Sequence, residues 1–184
     1  SAIAEYQFAL NDWDGLAESL DQWQSKAPSA DRNPRYWTLR ALLFQQRNQD
    51  EEAIAAFENA ARLAPDNTEV LISWSWFLLA HPDRLPGRLP QMLEQLAANP
   101  SRDSYAVLAY GYQALGQKTR ALDWLGRGRA AHPQDADWLL SMAPLAEQTG
   151  AAAEGQALRR RAIALNGAAL NRSKESVLFP EPAQ

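Results

Sequence analysis

The chain has 184 residues, 46% hydrophobic and 22% charged, with a formal net charge of −4. That is the composition of a soluble folded protein, and its acidity argues against nucleic acid as the main partner, since phosphate binding needs clustered Lys and Arg. The absence of cysteine excludes disulfides, thiolate metal sites and a cysteine nucleophile.

Large and small apolar residues recur at helical spacing, with turn signals rather than alternating strands between them, which predicts helices throughout. The first pair is a helix around Ala2–Leu10, a turn at Asn11-Asp12 and a helix from Trp13 towards Lys26, closed by Pro28. A polar stretch, 29–33, leads to Pro34, which suits the first turn of a helix because its missing N–H costs nothing there. The second pair runs to about Asn67, with Ala41 and Ala53 small enough for close backbone approach. Asp66-Asn67-Thr68 supplies capping side chains for the next helix.

The third pair opens with a bulky helix containing Leu71, Ile72, Trp74, Trp76 and Phe77. Pro82, Pro86 and Pro90 cannot all lie inside a helix, so an extended turn is expected over Ala80–Pro90, with the second helix starting near Pro90. The fourth pair spans Arg102 to Pro133, with a Leu115-Gly116 turn. The fifth runs from about Asp135 to Gly167, and a tail without periodicity over 173–184 is read as irregular.

From Pro34 the spacing reads Trp37, Ala41, Phe44, Ala53, Phe57, Ala60, Pro65; from Arg102 it reads Tyr105, Leu108, Ala109, Tyr112, Gly116, Ala121, Leu125, Pro133. A period of about 34 residues with this order of large, small and closing proline resembles the tetratricopeptide repeat. Arg40 departs from it, standing where the family is usually apolar. The resemblance implies an all-α, right-handed solenoid of about five antiparallel helix pairs. Its units fall at about 1–30, 34–67, 68–100, 102–133 and 135–167, within one repeat domain over 1–172. It also implies a non-catalytic scaffold that binds a protein or peptide on its concave face, without cofactor or metal.

In this family the ninth position of each unit points into the concave groove. Carried over, that gives Leu42, Trp76 and Tyr110, then Ala143, with Tyr6 in the same role in the first unit. Other inner positions carry Arg35, Gln45, Gln46, Glu69, Asp103, Gln113 and Glu147. The candidate groove is therefore Tyr6, Arg35, Leu42, Gln45, Gln46, Trp76, Tyr110 and Gln113, in which aromatic faces beside amides suit a peptide or a sugar polymer. The subclass that grips a terminal carboxylate with paired Lys and Asn is disfavoured, because Leu42, Trp76 and Tyr110 replace the Asn.

Both histidines precede proline, at His81-Pro82 and His132-Pro133, and neither has a second histidine three or four residues away on a helix, as a metal site would need. Gly126-Arg127-Gly128-Arg129 falls inside a helix, where its glycines allow packing. Arg159-Arg160-Arg161 reads as a cationic complement to a helix C-terminus. No phosphate loop, nucleophile elbow or metal-spacing motif appears, so the chain is not read as an enzyme.

Segments such as Asp137-Trp138-Leu139-Leu140 and Ala157-Leu158-Arg159-Arg160-Arg161-Ala162 are similar to periplasmic repeat regions of bacterial exopolysaccharide exporters. That resemblance implies an alternative function as a periplasmic scaffold or guide in polysaccharide export across the outer membrane. A periplasmic address is expected, with a cytoplasmic one as the alternative. No apolar run reaches the roughly 18 residues of a membrane span. The start at Ser1 rather than Met reads as a processed or excised piece. Arginine outnumbers lysine by 15 to 3, a bias produced by GC-rich bacterial codons.

Overall fold

The computed structural model describes residues 2–81, 83 and 87–178; for Tyr6 and residues 168–178 it describes the backbone alone. The chain divides into two compact units, Ser1–Asn99 and Pro100–Gln184, and the division falls at the junction of the third and fourth repeats.

In the first unit the helices are α1 (Ala2–Ala9), α2 (Trp13–Lys26), α3 (Pro34–Gln46), α4 (Asp50–Leu63), α5 (Thr68–Ala80) and α6 (Leu89–Ala98), with a 3₁₀ turn at Ala30–Arg32. In the second they are α7 (Ser104–Ala114), α8 (Lys118–Ala131), α9 (Ala136–Gln148) and α10 (Ala152–Leu178). Successive helices pack as antiparallel pairs, α1 on α2, α3 on α4, α5 on α6, α7 on α8 and α9 on α10. The first helix of a pair also touches the first helix of the next, α1 with α3, α3 with α5 and α7 with α9.

Four of these pairs are closed by the same device. Asn11, Asn48, Gly116 and Gly150 each have positive φ, at 55°, 56°, 74° and 92°. The following residue donates its N–H five positions back: Asp12 to Gln7, Gln49 to Phe44, Gln117 to Tyr112 and Ala151 to Ala146, at 2.8–2.9 Å. This is the left-handed C-terminal cap that satisfies the last carbonyls of a helix and reverses the chain. Four helix starts are fixed by side-chain caps. Asp12, Asn33, Asn67 and Asp135 accept from backbone N–H groups of the first turn of α2, α3, α5 and α9.

The core follows the predicted small and large positions. Ala41, Ala53, Ala60, Ala109 and Ala121 are all fully buried, as are Leu39, Phe57, Phe77, Leu108 and Tyr112. Phe57 stacks on Trp74 at 5.9 Å, with planes 5° apart. Arg40 is accommodated because its guanidinium donates to Asp21 Oδ1 at 3.0 Å and lies 5.7 Å from the Tyr36 ring centroid and 5.5 Å from that of Phe44. The apolar position is thus filled by the stem and face of a charged side chain.

The connection over 81–88 is longer than the other four. α5 ends at Ala80 and α6 begins at Leu89, with Pro90 in its first turn. Of the expected extended turn, Pro82 and residues 84–86 lie outside the described residues.

Two expectations are corrected at the C-terminal end. α10 continues through Ser173 to Leu178, where an irregular tail from Ser173 was expected. Nothing between 168 and 178 is glycine or proline, so helix hydrogen bonding is not interrupted before the residues that precede Pro180; residues 179–184 lie outside the described residues. Arg159-Arg160-Arg161 consequently sits well inside α10, not at its end, and the helix-dipole rationale fails. Arg159 instead clamps Glu147 of α9 through both carboxylate oxygens, at 3.0 and 3.1 Å. That clamp holds the Glu147 carboxyl below the usual carboxylate range.

Candidate binding surface

The first helices of the first unit bring part of the expected groove together. Arg35 and Glu69 lie in the first turns of α3 and α5. A cation is unfavourable at a helix N-terminus and an anion favourable, and the pairing offsets the first with the second. Arg35 forms an ion pair with Glu69, and its Nε lies 3.7 Å from Glu5 Oε1 on α1. One guanidinium thus links three successive first helices.

Seven residues along each helix, two turns further, stand Leu42 on α3 and Trp76 on α5. Leu42 is half-buried, and Trp76 is 39% exposed, an uncommon state for so large an apolar side chain. Gln45 is half-buried and Gln46 exposed one turn beyond Leu42. Tyr6 lies on α1, but its side chain is outside the described residues.

In the second unit Tyr110 and Gln113 face α9. The Tyr110 hydroxyl donates to the Ser141 carbonyl at 2.6 Å, and the Gln113 amide donates to Gln148 Oε1 at 3.5 Å. Burial pushes the Tyr110 phenol above its usual value. Pro144 lies inside α9 and has no N–H to offer the Leu140 carbonyl four residues back. Ala143 is fully buried, which removes it from any open surface. Thirty-four residues after Tyr110 stands Pro144, half-buried, so the fifth unit runs one residue later than expected.

Both histidines have structural partners. His132 stacks on Trp138 at 4.8 Å with planes 3° apart; its Nε2–H donates to the Arg102 carbonyl at 3.0 Å, and its Nδ1 accepts from Arg102 Nε at 3.1 Å. His81 stacks on Phe77 at 4.3 Å, and its Nδ1–H donates to the Phe77 carbonyl at 2.7 Å. The glycines of the 126–129 segment lie inside α8, and Gly128 admits the edge of Trp138. Among the described residues no group of three or more His, Asp or Glu could hold a metal ion, and no helix is long and apolar enough to cross a membrane.

A tetratricopeptide-repeat family model matches residues 1–167. Among solved structures, the crystal structure of PilW, a widely conserved type IV pilus biogenesis factor, is similar with a TM-score of 0.74 and 19% identity over 90% of this chain and 76% of that one. Two structures of MamA are similar at TM-scores of 0.60 and 0.65. They are 14% and 15% identical, over 100% and 92% of this chain and 94% and 97% of theirs. A comparison with curated proteins finds no match. At these identities the structural neighbours speak for the fold, which is the all-α class of stacked helix pairs. The family match covers most of the sequence, and the chain belongs to the tetratricopeptide-repeat family.

Proposed function

We propose that the chain is a non-catalytic protein-interaction scaffold whose first-helix face, the concave one in this family, holds an extended segment of a partner protein. The family and the fold of its neighbours support the scaffold. The observation that carries the choice of face is Trp76. It is 39% exposed, in phase with Leu42 one repeat earlier, and two turns from the Glu5–Arg35–Glu69 ladder. An apolar patch beside a row of paired charges and free-standing amides supplies both area and register for an extended chain. In the second unit, Tyr110 and Gln113 are assigned to the equivalent first-helix face, with the phenol ring held in place by Ser141.

The test is a photo-crosslinker at Gln46. The expected result is one defined partner segment captured by the parent chain and lost in Trp76→Ala, with helicity unchanged. Equal capture by both proteins would move the interface elsewhere.

A second reading keeps the surface and changes the ligand. The 39% exposed indole of Trp76, assigned to the same first-helix face as Gln45 and Gln46, also suits a sugar ring, which stacks on an aromatic face and exchanges hydrogen bonds with amides. On this reading the chain guides an exopolysaccharide in the periplasm. Retarded migration in a gel cast with the polymer, abolished by Trp76→Ala, would favour it over the protein partner.

A further inference from the structure

The first unit carries a second concave surface. An open cavity of about 570 Å³ lies between α4 and α6, with Leu71 and Trp74 of α5 as its floor. Trp74 and Trp76 are two residues apart on one helix, so they leave α5 about 200° apart. The cavity therefore lies on the far side of α5 from the face proposed above.

Three features give this cavity a chemical preference. Trp74 is only 3% exposed, yet its indole N–H has no acceptor among the described residues. Buried polar groups are ordinarily satisfied, so an orphaned donor at the wall of a cavity marks a missing partner. The Arg88 guanidinium lies 5.0 Å over the Trp74 ring, and among the described residues its carboxylate partner is Glu58 at 3.9 Å. Arg62 enters from α4 and donates to a neutral acceptor, Asn59 Oδ1, at 2.8 Å. Two cations against one carboxylate leave the lining positive in a chain whose net charge is −4. The side-chain amide of Gln91 adds a donor along the rim, while that of Gln95 is directed at Asp66 Oδ1 at 3.4 Å.

The corresponding place in the second unit shows that the repeat builds this space. A cavity of about 400 Å³ lies between α8 and α10, with Pro133 and Leu139 standing where Pro65 and Leu71 stand in the first. There, however, Arg129 is already paired with Glu154, and no tryptophan lines the space.

We propose that the α4–α6 cavity binds an acidic peptide segment of a partner protein. Its carboxylate is taken by Arg62 and Arg88, and its neighbouring apolar side chain rests on Trp74 and Met92. A carboxylate that draws Arg88 off the indole also brings the acceptor that the Trp74 N–H lacks, and charge-assisted bonds of this kind are the strong ones.

The test titrates the ¹⁵N-labelled chain with acetyl-Leu-Asp-Leu-amide and, in parallel, with acetyl-Leu-Asn-Leu-amide. The Trp74 indole N–H resonance, assigned through Trp74→Phe, is the reporter. The expected result is a saturable shift with the Asp peptide and binding about tenfold weaker with the Asn peptide. Arg62→Gln, an exposed position that leaves the fold intact, should lower affinity for the Asp peptide alone. A Trp74 resonance that does not move, or one that responds equally to both peptides, would overturn the proposal. A shift confined to the Trp76 indole would also overturn it, while leaving the first-helix face standing as a binding surface. A response to a neutral oligosaccharide but to neither peptide would reassign the cavity to sugar.

Discussion

Trp138 lies flat against His132, ring centroids 4.8 Å apart, and the edge of the same indole occupies the space where Gly128 has no side chain. A Cβ at Gly128 would stand 2.4 Å from Trp138 Cζ2 and 3.0 Å from Tyr105 Cβ. Replacing a helical glycine with alanine ordinarily stabilises by about 1 kcal/mol. Here the overlap is with a ring locked between His132 and α8, and overpacking costs about 1–3 kcal/mol. Gly128→Ala should therefore lower the melting temperature, whereas the same change at Gly126, where nothing lies within 4 Å, should raise it.

Asp135 makes the second unit sensitive to acid. Its carboxylate accepts from the Trp138 N–H at the start of α9, and that bond, with smaller contributions from His132 and Arg102, holds its carboxyl below the usual range. A carboxyl with a lowered folded value contributes stability above its unfolded value of about 3.9, and the contribution is lost as pH falls through the folded value. Asp135→Asn keeps a cap but removes the charge. The stability gap between parent and variant, read from melts at several pH values, should be constant near neutrality and close below about pH 4.

Neighbouring residues on α5 should lose very different amounts of stability on truncation. Phe77 is fully buried against Phe57 and His81, and its replacement by alanine should cost about 3–5 kcal/mol. Trp76 is 39% exposed, and its replacement should cost well under that, roughly 1 kcal/mol. Denaturant unfolding of the two variants checks this. Equal losses would place Trp76 in the core and remove it from the binding face.

Asn48 holds positive φ with a side chain attached. The left-handed conformation costs an ordinary residue roughly 1–2 kcal/mol, and asparagine and glycine are the types that adopt it readily. Asn48→Ala should destabilise the first unit by about 1 kcal/mol, and Asn48→Gly should leave it nearly unchanged. Thermal melts of both variants read the difference.

Most of the helical layout was legible because it is written in short-range terms. Pro34 marked a start, Leu115-Gly116 and Asn11-Asp12 marked reversals, and Ala41, Ala53 and Ala109 marked close approaches that the structure buries completely. Asn48 was missed as a reversal, since asparagine is less emphatic than glycine in that role. The one-residue slip to the buried Ala143 follows from starting the fifth unit at Asp135, the cap residue of α9, whereas the 34-residue period carried on from Tyr110 reaches Pro144. The binding surface was legible only as residue types. Periodicity places Arg35, Glu69 and Trp76 on first helices, but it is silent on which charges find each other. The Arg35 pairing with both Glu5 and Glu69 depends on three helices that are distant in sequence. The α4–α6 cavity left no trace in the pattern, because Arg62, Trp74 and Arg88 come together only through packing.

The left-handed caps at Asn11, Asn48, Gly116 and Gly150 close on carbonyls of their own helices. Each of these four pairs therefore carries its own punctuation, independent of what precedes or follows it. A gene encoding such a chain can gain or lose whole pairs by unequal recombination without rewriting the ends of the helices that remain. The link between α5 and α6, over 81–88, is longer than the other four, and it is the place where an insertion could lengthen the chain without breaking the grammar of the rest.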